Sequence, residues 1–163
     1  MILAGRAFRF GDDINTDYII ASKYKAQNLR IEDAAAHLME DVRPGFATEL
    51  RPGDLIVAGR NFGCGSSREA APRVIKAAGV GAVLAASFAR IFFRNCMNLG
   101  LAAVACPEAV EVAHDGSAIV IDPSGAVEVD GRRFAVPAAP ALLTELAEAG
   151  GLVAWTEREL RAR

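Results

Sequence analysis

The sequence predicts an α/β domain with a parallel sheet. Short apolar runs typical of buried strands alternate over residues 54–105 with segments of helical periodicity, so two βα units follow one another. Glycines and prolines punctuate the links between these segments. With 163 residues, of which 52% are hydrophobic and 23% charged, the chain has the size and balance of one globular domain spanning 1–163.

The N-terminal half contains a strand, a helix, a strand and a second helix. Residues 2–10 predict the first strand, and 31–42 place six apolar residues on one helical face. The next strand covers 54–59, and the helix that follows a glycine-rich turn covers 68–78. Because Pro72 has no amide donor, we expect that helix either to begin late or to kink.

The C-terminal half continues the alternation and then changes to hairpins. The predicted strands are 82–85, 101–105, 118–122, 126–130 and 132–136, and the predicted helices are 87–99, a short one starting at Pro107, and 138–149. Turn residues between the last three strands are typical of β-hairpins. No element is assigned to 152–163.

A carboxylate-binding turn is predicted at 60–69, where RNFGCGSSRE lies between a strand and a helix. Its two glycines allow a tight turn and a close approach to a ligand. Ser66 or Ser67 can cap the helix and leave its amide groups free for an anion, to which Arg68 adds a positive charge. Spacing alone leaves a second interpretation open, in which Ser67 is an ordinary N-cap and Arg68 is solvated.

A second candidate segment is GDDINTDYIIASKYK at 11–25. Asp12, Asp13 and Asp17 offer oxygen ligands for a cation, but their spacing does not match the calcium-loop pattern. The spacing favours the alternative of an Asx-rich loop with solvated acids. Lys23 and Lys25 could meet a carboxylate.

Three cysteines and two histidines indicate no metal site in the chain, because no Cys-x-x-Cys pair is present. We expect Cys96 and Cys106 to be small buried residues. Cys64 lies in the glycine turn, where helix amides could lower the pKa of its thiol and make it a nucleophile. Thiol chemistry at Cys64 is therefore a separate hypothesis.

Charge and hydropathy exclude several classes of partner. A formal net charge of -2 and a pI near 5.7 predict binding neither to nucleic acid nor to an anionic membrane. The N-terminus lacks the apolar core of a signal peptide, and Arg90 interrupts the apolar region 79–93. We therefore expect a soluble, cytoplasmic protein.

Three segments together resemble the small subunits of 3-isopropylmalate dehydratase, which belong to the aconitase superfamily. They are GDDINTD with Ile19 and Ile20, GRNFGCGSSRE at 59–69, and SFARIFFRN followed by NLGL at 87–101. These motifs occur in the order and spacing of the family and, with their flanking helices, extend over the first two-thirds of the chain. The resemblance implies a three-layer swivelling β/β/α domain of the aconitase C-terminal type, with a C-terminal β-hairpin and helix.

The resemblance further implies a hydro-lyase of leucine biosynthesis that interconverts 2- and 3-isopropylmalate by dehydration and rehydration. Such an enzyme is active only with a large partner subunit that carries a [4Fe-4S] cluster, so no cofactor is expected in this chain. The open iron of the cluster binds the hydroxyl and carboxylate of a small di- or tricarboxylic hydroxy acid as a Lewis acid.

Site residues follow from the same resemblance. Ser66 is the expected catalytic base, and Ser67 and Arg68 are expected to hold a substrate carboxylate. Asp17 matches the aspartate that orients a histidine from the cluster-bearing half. Lys23 lies near the position of a basic substrate contact.

Substrate specificity stays open at this stage. Tyr24, Lys25, Ala26 and Gln27 occupy the loop that contacts the substrate side chain in related subunits. They match neither the apolar pattern of isopropylmalate enzymes nor the Leu-Arg pattern of homoaconitases. Homoaconitate, citramalate or methylmalate, and 2,3-dimethylmalate are therefore alternative substrates, and a dicarboxylate-binding α/β module without catalysis is an alternative of a different class.

Overall fold

The computed structural model describes residues 1–27 and 29–162 and contains a mixed sheet of seven strands. The strands are β1 (Leu3–Arg9), β2 (Leu55–Ala58), β3 (Ala82–Ala85), β4 (Ala102–Ala105), β5 (Ala118–Asp122), β6 (Ala126–Val129) and β7 (Arg132–Ala135). Their spatial order is β4-β3-β2-β1-β5-β6-β7. β1 to β4 are parallel, whereas β5 to β7 form an antiparallel meander that pairs with β1. The predicted α/β class is confirmed.

Nine helices pack around this sheet in the described part of the chain. They are α1 (Thr16–Ile19), α2 (Ser22–Ala26), α3 (Ile31–Ala34), α4 (Phe46–Glu49), α5 (Ala70–Ala77), α6 (Arg90–Leu99), α7 (Pro107–Val112), α8 (Ala141–Ala149) and α9 (Leu152–Arg161). None of the described helices combines the length and the hydropathy needed to cross a membrane.

Strand β2 lies at the centre of two apolar clusters, one on each face of the sheet. Leu55 and Val57 belong to the cluster that contains α7, whereas Ile56 and Ala58 belong to the cluster that contains α5 and α6. Successive side chains of a strand point to opposite faces, so a fully apolar run is typical of a strand that is covered on both sides. This packing holds the carboxyl end of β2 in place.

The continuous helix predicted over 31–42 is wrong. Helix α3 ends at Ala34, a 3-10 turn covers Ala35–His37, and Met39 adopts a left-handed conformation with φ 57°. Leu38 and Met39 are nevertheless fully buried, and the Met39 amide donates to the Ile19 carbonyl at 3.0 Å. Packing against α1 therefore outweighs the local helical periodicity.

Helix α9 was not predicted from the sequence, and contacts with α6 and α8 hold it against the rest of the domain. It packs against both helices, and Trp155 Nε1 donates to the Glu145 carboxylate of α8 at 3.0 Å. Lys76 of α5 donates to the carbonyls of Leu99 (2.5 Å) and Gly150 (2.7 Å), at the ends of α6 and α8. The lysine thereby satisfies carbonyls that helix ends leave without partners.

Asp54 links the stability of the fold to acidic pH. Asp54 is 5% exposed, and its carboxylate accepts hydrogen bonds from the Arg51 amide (2.9 Å) and Arg6 Nη2 (2.9 Å) at the start of β2. Burial by itself raises the pKa of Asp54, but these hydrogen bonds and the Arg6 charge lower it below the ordinary value. Such a group contributes stability above its unfolded pKa, about 3.9, and loses it as pH falls through the folded pKa.

We expect Asp54→Asn to lower the free energy of unfolding by about 2 kcal/mol at pH 7 and to reduce the loss of stability below about pH 4. Urea denaturation at a series of pH values measures both effects. The same substitution at exposed Asp41 is the matched control. An unchanged acid-induced loss in the Asp54 variant would contradict the assignment.

Candidate active site

The first two motifs lie side by side at the carboxyl edge of the parallel strands. The loop after β1 and the turn after β2 are joined by backbone hydrogen bonds: Gly59 N to Gly11 O (3.0 Å), Asp13 N to Arg60 O (2.8 Å), Gly63 N to Ile14 O (2.7 Å) and Thr16 N to Cys64 O (2.9 Å). Ligands of open α/β sheets bind at this edge. The sheet therefore brings together two segments that are far apart in sequence.

The third motif lies along the other side of the glycine turn. After β3, the Phe62 amide donates to the Ser87 carbonyl (3.0 Å), and the Ala89 amide donates to the Phe62 carbonyl (2.9 Å). The Ser87 hydroxyl accepts the Asn61 amide at 2.9 Å. The glycine turn is thus held between the other two motifs by backbone contacts.

One glycine just before the turn and one within it have no room for a side chain. A Cβ at Gly59 would overlap the Asp12 carboxylate, and one at Gly63 would overlap the Phe92 ring. Gly63 also has φ 77°, which disfavours residues with a Cβ. Close approach between the motifs therefore requires glycine at both positions.

Ser66 is exposed at a cavity of about 200 Å³. Ser67 and Arg68 line the same cavity, together with Thr16 from the first motif and Arg90 from the third. The structure therefore brings the predicted base and both predicted carboxylate-binding residues to one opening. All three motifs contribute to its lining.

Thr16 positions Ser66 and was not predicted from the sequence. Its side chain is 2% exposed, and Oγ1 donates to the Ser66 carbonyl at 3.1 Å. The same oxygen lies 3.5 Å from Ser66 Oγ, where either hydroxyl can be the donor. A buried threonine thus fixes the backbone of the serine and contacts its hydroxyl oxygen.

Asp17 forms an ion pair with Arg68 across the two motifs. Arg68 Nη1 donates to Asp17 Oδ1 at 2.5 Å, and the Ser22 hydroxyl donates to the same oxygen at 2.5 Å. The pKa of Asp17 lies below its ordinary value, mainly because the carboxylate accepts a hydrogen bond from Ser22. The Arg68 guanidinium lowers this pKa to a smaller extent. The carboxylate therefore stays ionised and orients the guanidinium.

The predicted cap is wrong, because neither Ser66 nor Ser67 caps α5. That helix begins at Ala70, its N-cap is Glu69, and no side chain caps it. Helix α6 begins at Arg90, which itself lines the cavity. The helix N-terminus that borders the cavity is therefore that of α6, whereas the sequence predicts that of α5.

Lys23 lines neither the Ser66 cavity nor the apolar one described below. Its Nζ forms a salt bridge with Glu40 at 3.0 Å and lies over the Tyr24 ring, 4.9 Å from the centroid. Glu40 also accepts the Tyr24 hydroxyl and lies 2.8 Å from His37 Nδ1. The hydrogen bond from Tyr24 is the largest of the contacts that lower the pKa of Glu40 to about 2, so the carboxylate is charged.

The segment predicted as a specificity loop is a short helix. Tyr24 lies in α2, and Gln27 follows in a turn where its amide donates to the Lys23 carbonyl at 3.2 Å. The side chains of Lys25 and Ala26 lie outside the part that the structure describes. Among the described side chains of this segment, that of Tyr24 lines a cavity.

An apolar cavity of about 240 Å³ adjoins Arg68. Its walls include Ile20 after α1, Tyr24 of α2, Ile31 of α3 and Val74 of α5. Arg68 lines this cavity as well as the one at Ser66. Arg68 therefore borders both cavities.

The acids of the first motif do not form a cation site. Asp12 Oδ2 forms a salt bridge with Arg60 Nη2 (3.1 Å), and Asp13 Oδ1 accepts from Asn61 Nδ2 (2.8 Å). Asp17 is engaged by Arg68. Within residues 1–27 and 29–162, no three His, Cys, Asp or Glu side chains lie together so that they could hold a metal ion. The carboxylates bind the glycine turn instead.

Cys64 does not have the environment of a nucleophile. Burial is the main cause that raises the pKa of its thiol, and the Asp13 charge raises it further. The predicted lowering by helix amides is therefore wrong, since α5 begins only at Ala70. Cys96 and Cys106 are buried, as predicted.

Cys64→Ser is expected to keep near-normal turnover in a reconstituted enzyme, because a thiol with a raised pKa is protonated and unreactive at neutral pH. Steady-state kinetics with and without iodoacetamide measure this. Inactivation that tracks alkylation of Cys64 would instead favour thiol chemistry.

Sequence reasoning missed Thr16, Ser22 and Arg90 as contributors to the site. Thr16 and Ser22 each lie in the segment 11–25, where Thr16 contacts the glycine turn and Ser22 contacts Asp17 of the same segment. Arg90 lies in the third quoted motif, to which no role was attached. The presence of Arg90 in that motif is the sequence feature that could have indicated a role in the site.

Residues 18–109 match the aconitase C-terminal domain family. The 3-isopropylmalate dehydratase small subunit of Thermodesulfovibrio yellowstonii is 43% identical over 98% of this chain and 96% of its own length. Small subunit 1 of the same enzyme from Archaeoglobus fulgidus is 46% identical over 98% of this chain and 99% of its own.

A relative with another substrate in its name is similar to the same extent. The 2,3-dimethylmalate dehydratase small subunit of Eubacterium barkeri is 47% identical over 91% of this chain and 93% of its own. The crystal structure of 3-isopropylmalate dehydratase (leuD) from Methanocaldococcus jannaschii superposes with a TM-score of 0.91 at 38% identity, covering 99% of this chain and 97% of that one.

Proposed function

The chain belongs to the small subunits of the aconitase-family dehydratases, and on that premise we propose that it is the small subunit of a 3-isopropylmalate dehydratase. The predicted family and the aconitase C-terminal type of fold are confirmed by the match over 18–109 and by the superposition with a TM-score of 0.91. The activity is that of a hydro-lyase, exerted together with a large subunit.

One observation carries this proposal: an exposed serine hydroxyl and a preoriented arginine line the same open cavity. Ser66 Oγ contacts the Thr16 hydroxyl, and Arg68 is held by Asp17 through one of its five N–H donors. The remaining donors match the planar geometry of a carboxylate. Asp17 would also be available to the predicted histidine of the partner, because it is 51% exposed.

In the proposed reaction the Ser66 oxygen takes the proton from the carbon next to a substrate carboxylate, and the hydroxyl group leaves from the neighbouring carbon. A serine hydroxyl is a weak acid, so its deprotonated form requires nearby donors in a water-poor site. Arg68 offers positive charge at the same cavity, whereas the single hydroxyl proton of Thr16 is donated to the Ser66 carbonyl. Ser67 and Arg68 hold the carboxylate, and closure by a partner would exclude water.

The apolar cavity beside Arg68 favours an alkyl-substituted malate. With Ile20, Ile31 and Val74 in its walls, it suits an isopropyl group attached to a carbon whose carboxylate reaches Arg68. The extra carboxylate of a homoaconitate-type acid would lose its hydration there. A methyl-substituted malate is the closest competitor, as the name of the Eubacterium barkeri relative illustrates.

The iron–sulfur cluster of the proposed enzyme belongs to its large partner subunit. The residues of this chain do not fit a cluster, because Cys96 and Cys106 are buried and no metal-binding group occurs among the described residues. In the reaction, this chain therefore binds and orients the substrate and exchanges a proton with it. The proposed enzyme works in the cytoplasm of the cell.

Coexpression with a candidate large subunit, followed by an absorbance assay for the unsaturated product, tests the proposal. We expect turnover of 3-isopropylmalate by the complex and by neither subunit alone. 2,3-Dimethylmalate, citramalate and homocitrate-type acids assayed in parallel rank the substrates. Turnover of homocitrate-type acids above isopropylmalate would overturn the assignment of the apolar cavity.

The alternative of a non-catalytic dicarboxylate-binding module makes an opposite prediction. Such a module would bind a malate-type acid tightly without a partner, as isothermal titration of the isolated chain would detect. It would also remain inactive in every combination with a large subunit.

A further inference from the structure

The tyrosine in the wall of the apolar cavity is held by a residue that does not line the cavity. Tyr24 lines it, whereas Glu40, 16 positions later in the chain, does not. The Tyr24 hydroxyl and Lys23 Nζ (3.0 Å) both donate to Glu40 Oε1, and His37 Nδ1 donates to Oε2 at 2.8 Å. The Tyr24 and His37 rings are stacked, with 4.0 Å between their centroids and 17° between their planes. The carboxylate and the imidazole therefore hold both the hydroxyl and one face of the tyrosine ring.

Tyr24 depends on these contacts because its own helix is short. Helix α2 has five residues, and a helix of that length is not stable through its own hydrogen bonds. Glu40, by contrast, follows a firmly packed segment. Leu38 and Met39 are fully buried, and the Met39 amide donates to the Ile19 carbonyl at 3.0 Å. The core therefore fixes Glu40, and Glu40 fixes the tyrosine.

The proposed reaction uses neither Glu40 nor His37. We propose that Glu40 is a positioning residue that holds Tyr24 in the wall of the apolar cavity and thereby sets the preference among alkyl-substituted malates. This inference rests on the proposed function and deepens it, because the cavity is the one that would receive the alkyl group. An isopropyl group makes more contacts with the wall than a methyl group, so it loses more of them when the wall is free to move.

Glu40→Ala in the reconstituted complex tests this inference through a ratio of two substrates. We expect the ratio of kcat/KM for 3-isopropylmalate to that for 3-methylmalate to fall about fourfold, which is the contribution of one methylene group in an apolar pocket. A loss of folded or assembled enzyme lowers both rates equally and leaves the ratio unchanged. Glu40→Gln keeps an oxygen acceptor for the Tyr24 hydroxyl and should recover part of the preference. Glu32→Ala is the matched control, because Glu32 is exposed on α3 and does not line the cavity.

A double-mutant cycle separates the effect through Tyr24 from other effects of Glu40. Tyr24→Phe keeps the ring and removes the hydroxyl that Glu40 binds. When Glu40→Ala is added to Tyr24→Phe, we expect the substrate ratio to change by less than about twofold, because the two residues act as one unit. Full additivity of the two substitutions would contradict action through the tyrosine.

The isolated chain offers a measurement that does not depend on activity. It contains two tyrosines, so labelling of the tyrosine rings gives two sets of NMR signals, which Tyr18→Phe assigns. Glu40→Ala should shift the Tyr24 signals, because the ring leaves the face of His37, and Glu32→Ala should not. Unchanged Tyr24 signals, or a substrate ratio equal to that of wild type, would overturn the role of Glu40. An inactive wild-type complex would count against the proposed function itself, so the two failures are distinguishable.

Discussion

Replacing Ser66 with alanine is expected to lower kcat of the reconstituted complex by between about a hundredfold and ten-thousandfold, the range that a positioned general base contributes. The reason is that the substitution removes the oxygen exposed at the cavity while the Thr16 contact to the Ser66 carbonyl remains. KM and subunit association should change little. Steady-state kinetics and gel filtration of the complex measure these quantities.

The control for this variant is Ser124→Ala, in the hairpin turn between β5 and β6. It removes a hydroxyl of the same size from a site remote in sequence from the three motifs. Near-normal turnover of the Ser66 variant would remove this residue from the mechanism. A loss of assembly in parallel with activity would point to a structural role.

The second large effect is expected for Arg68→Gln. This change removes the charge that meets the substrate carboxylate and leaves Asp17 without its ion pair. We expect kcat/KM to fall about a hundredfold. Arg68→Lys should remain impaired, because an ammonium group cannot bind a carboxylate in the bidentate manner of a guanidinium. Kinetics with 3-isopropylmalate over a range of concentrations separate the effects on KM and kcat.

Arg73→Gln provides the comparison for Arg68→Gln, since Arg73 is exposed on α5 and lines neither cavity. It should behave as wild type. Equal losses in the two variants would indicate a general effect of removing positive charge and contradict a specific contact.

The strands were predictable because their signals are local. The apolar run 82–85 follows Gly81 and comes shortly before Ser87, and the observed β3 has the predicted limits. Helix boundaries were less predictable, because α5 and α6 begin at Ala70 and Arg90, two and three residues later than predicted. The break at Met39 depends on a hydrogen bond to Ile19, which no local pattern reveals.

The residues that form the site were easier to predict than the contacts among them. Ser66, Ser67 and Arg68 meet at one cavity as their shared motif indicated. The pairing of Asp17 with Arg68 spans 51 positions of sequence and follows from the parallel neighbours β1 and β2. Likewise, Lys23 bonds to Glu40 because the chain turns back after α3. Such contacts arise from the tertiary path of the chain, which residue spacing does not encode.

The shared border of the two cavities at Arg68 has a consequence for the range of acids that the enzyme can process. Each additional methylene in an apolar pocket is worth about 0.8 kcal/mol, a factor of about four in rate or affinity. An isopropyl group exceeds a methyl group by two carbons and would be preferred only about fifteenfold. If the alkyl group of the proposed substrate occupies this cavity, selection among homologous alkyl chains is therefore graded.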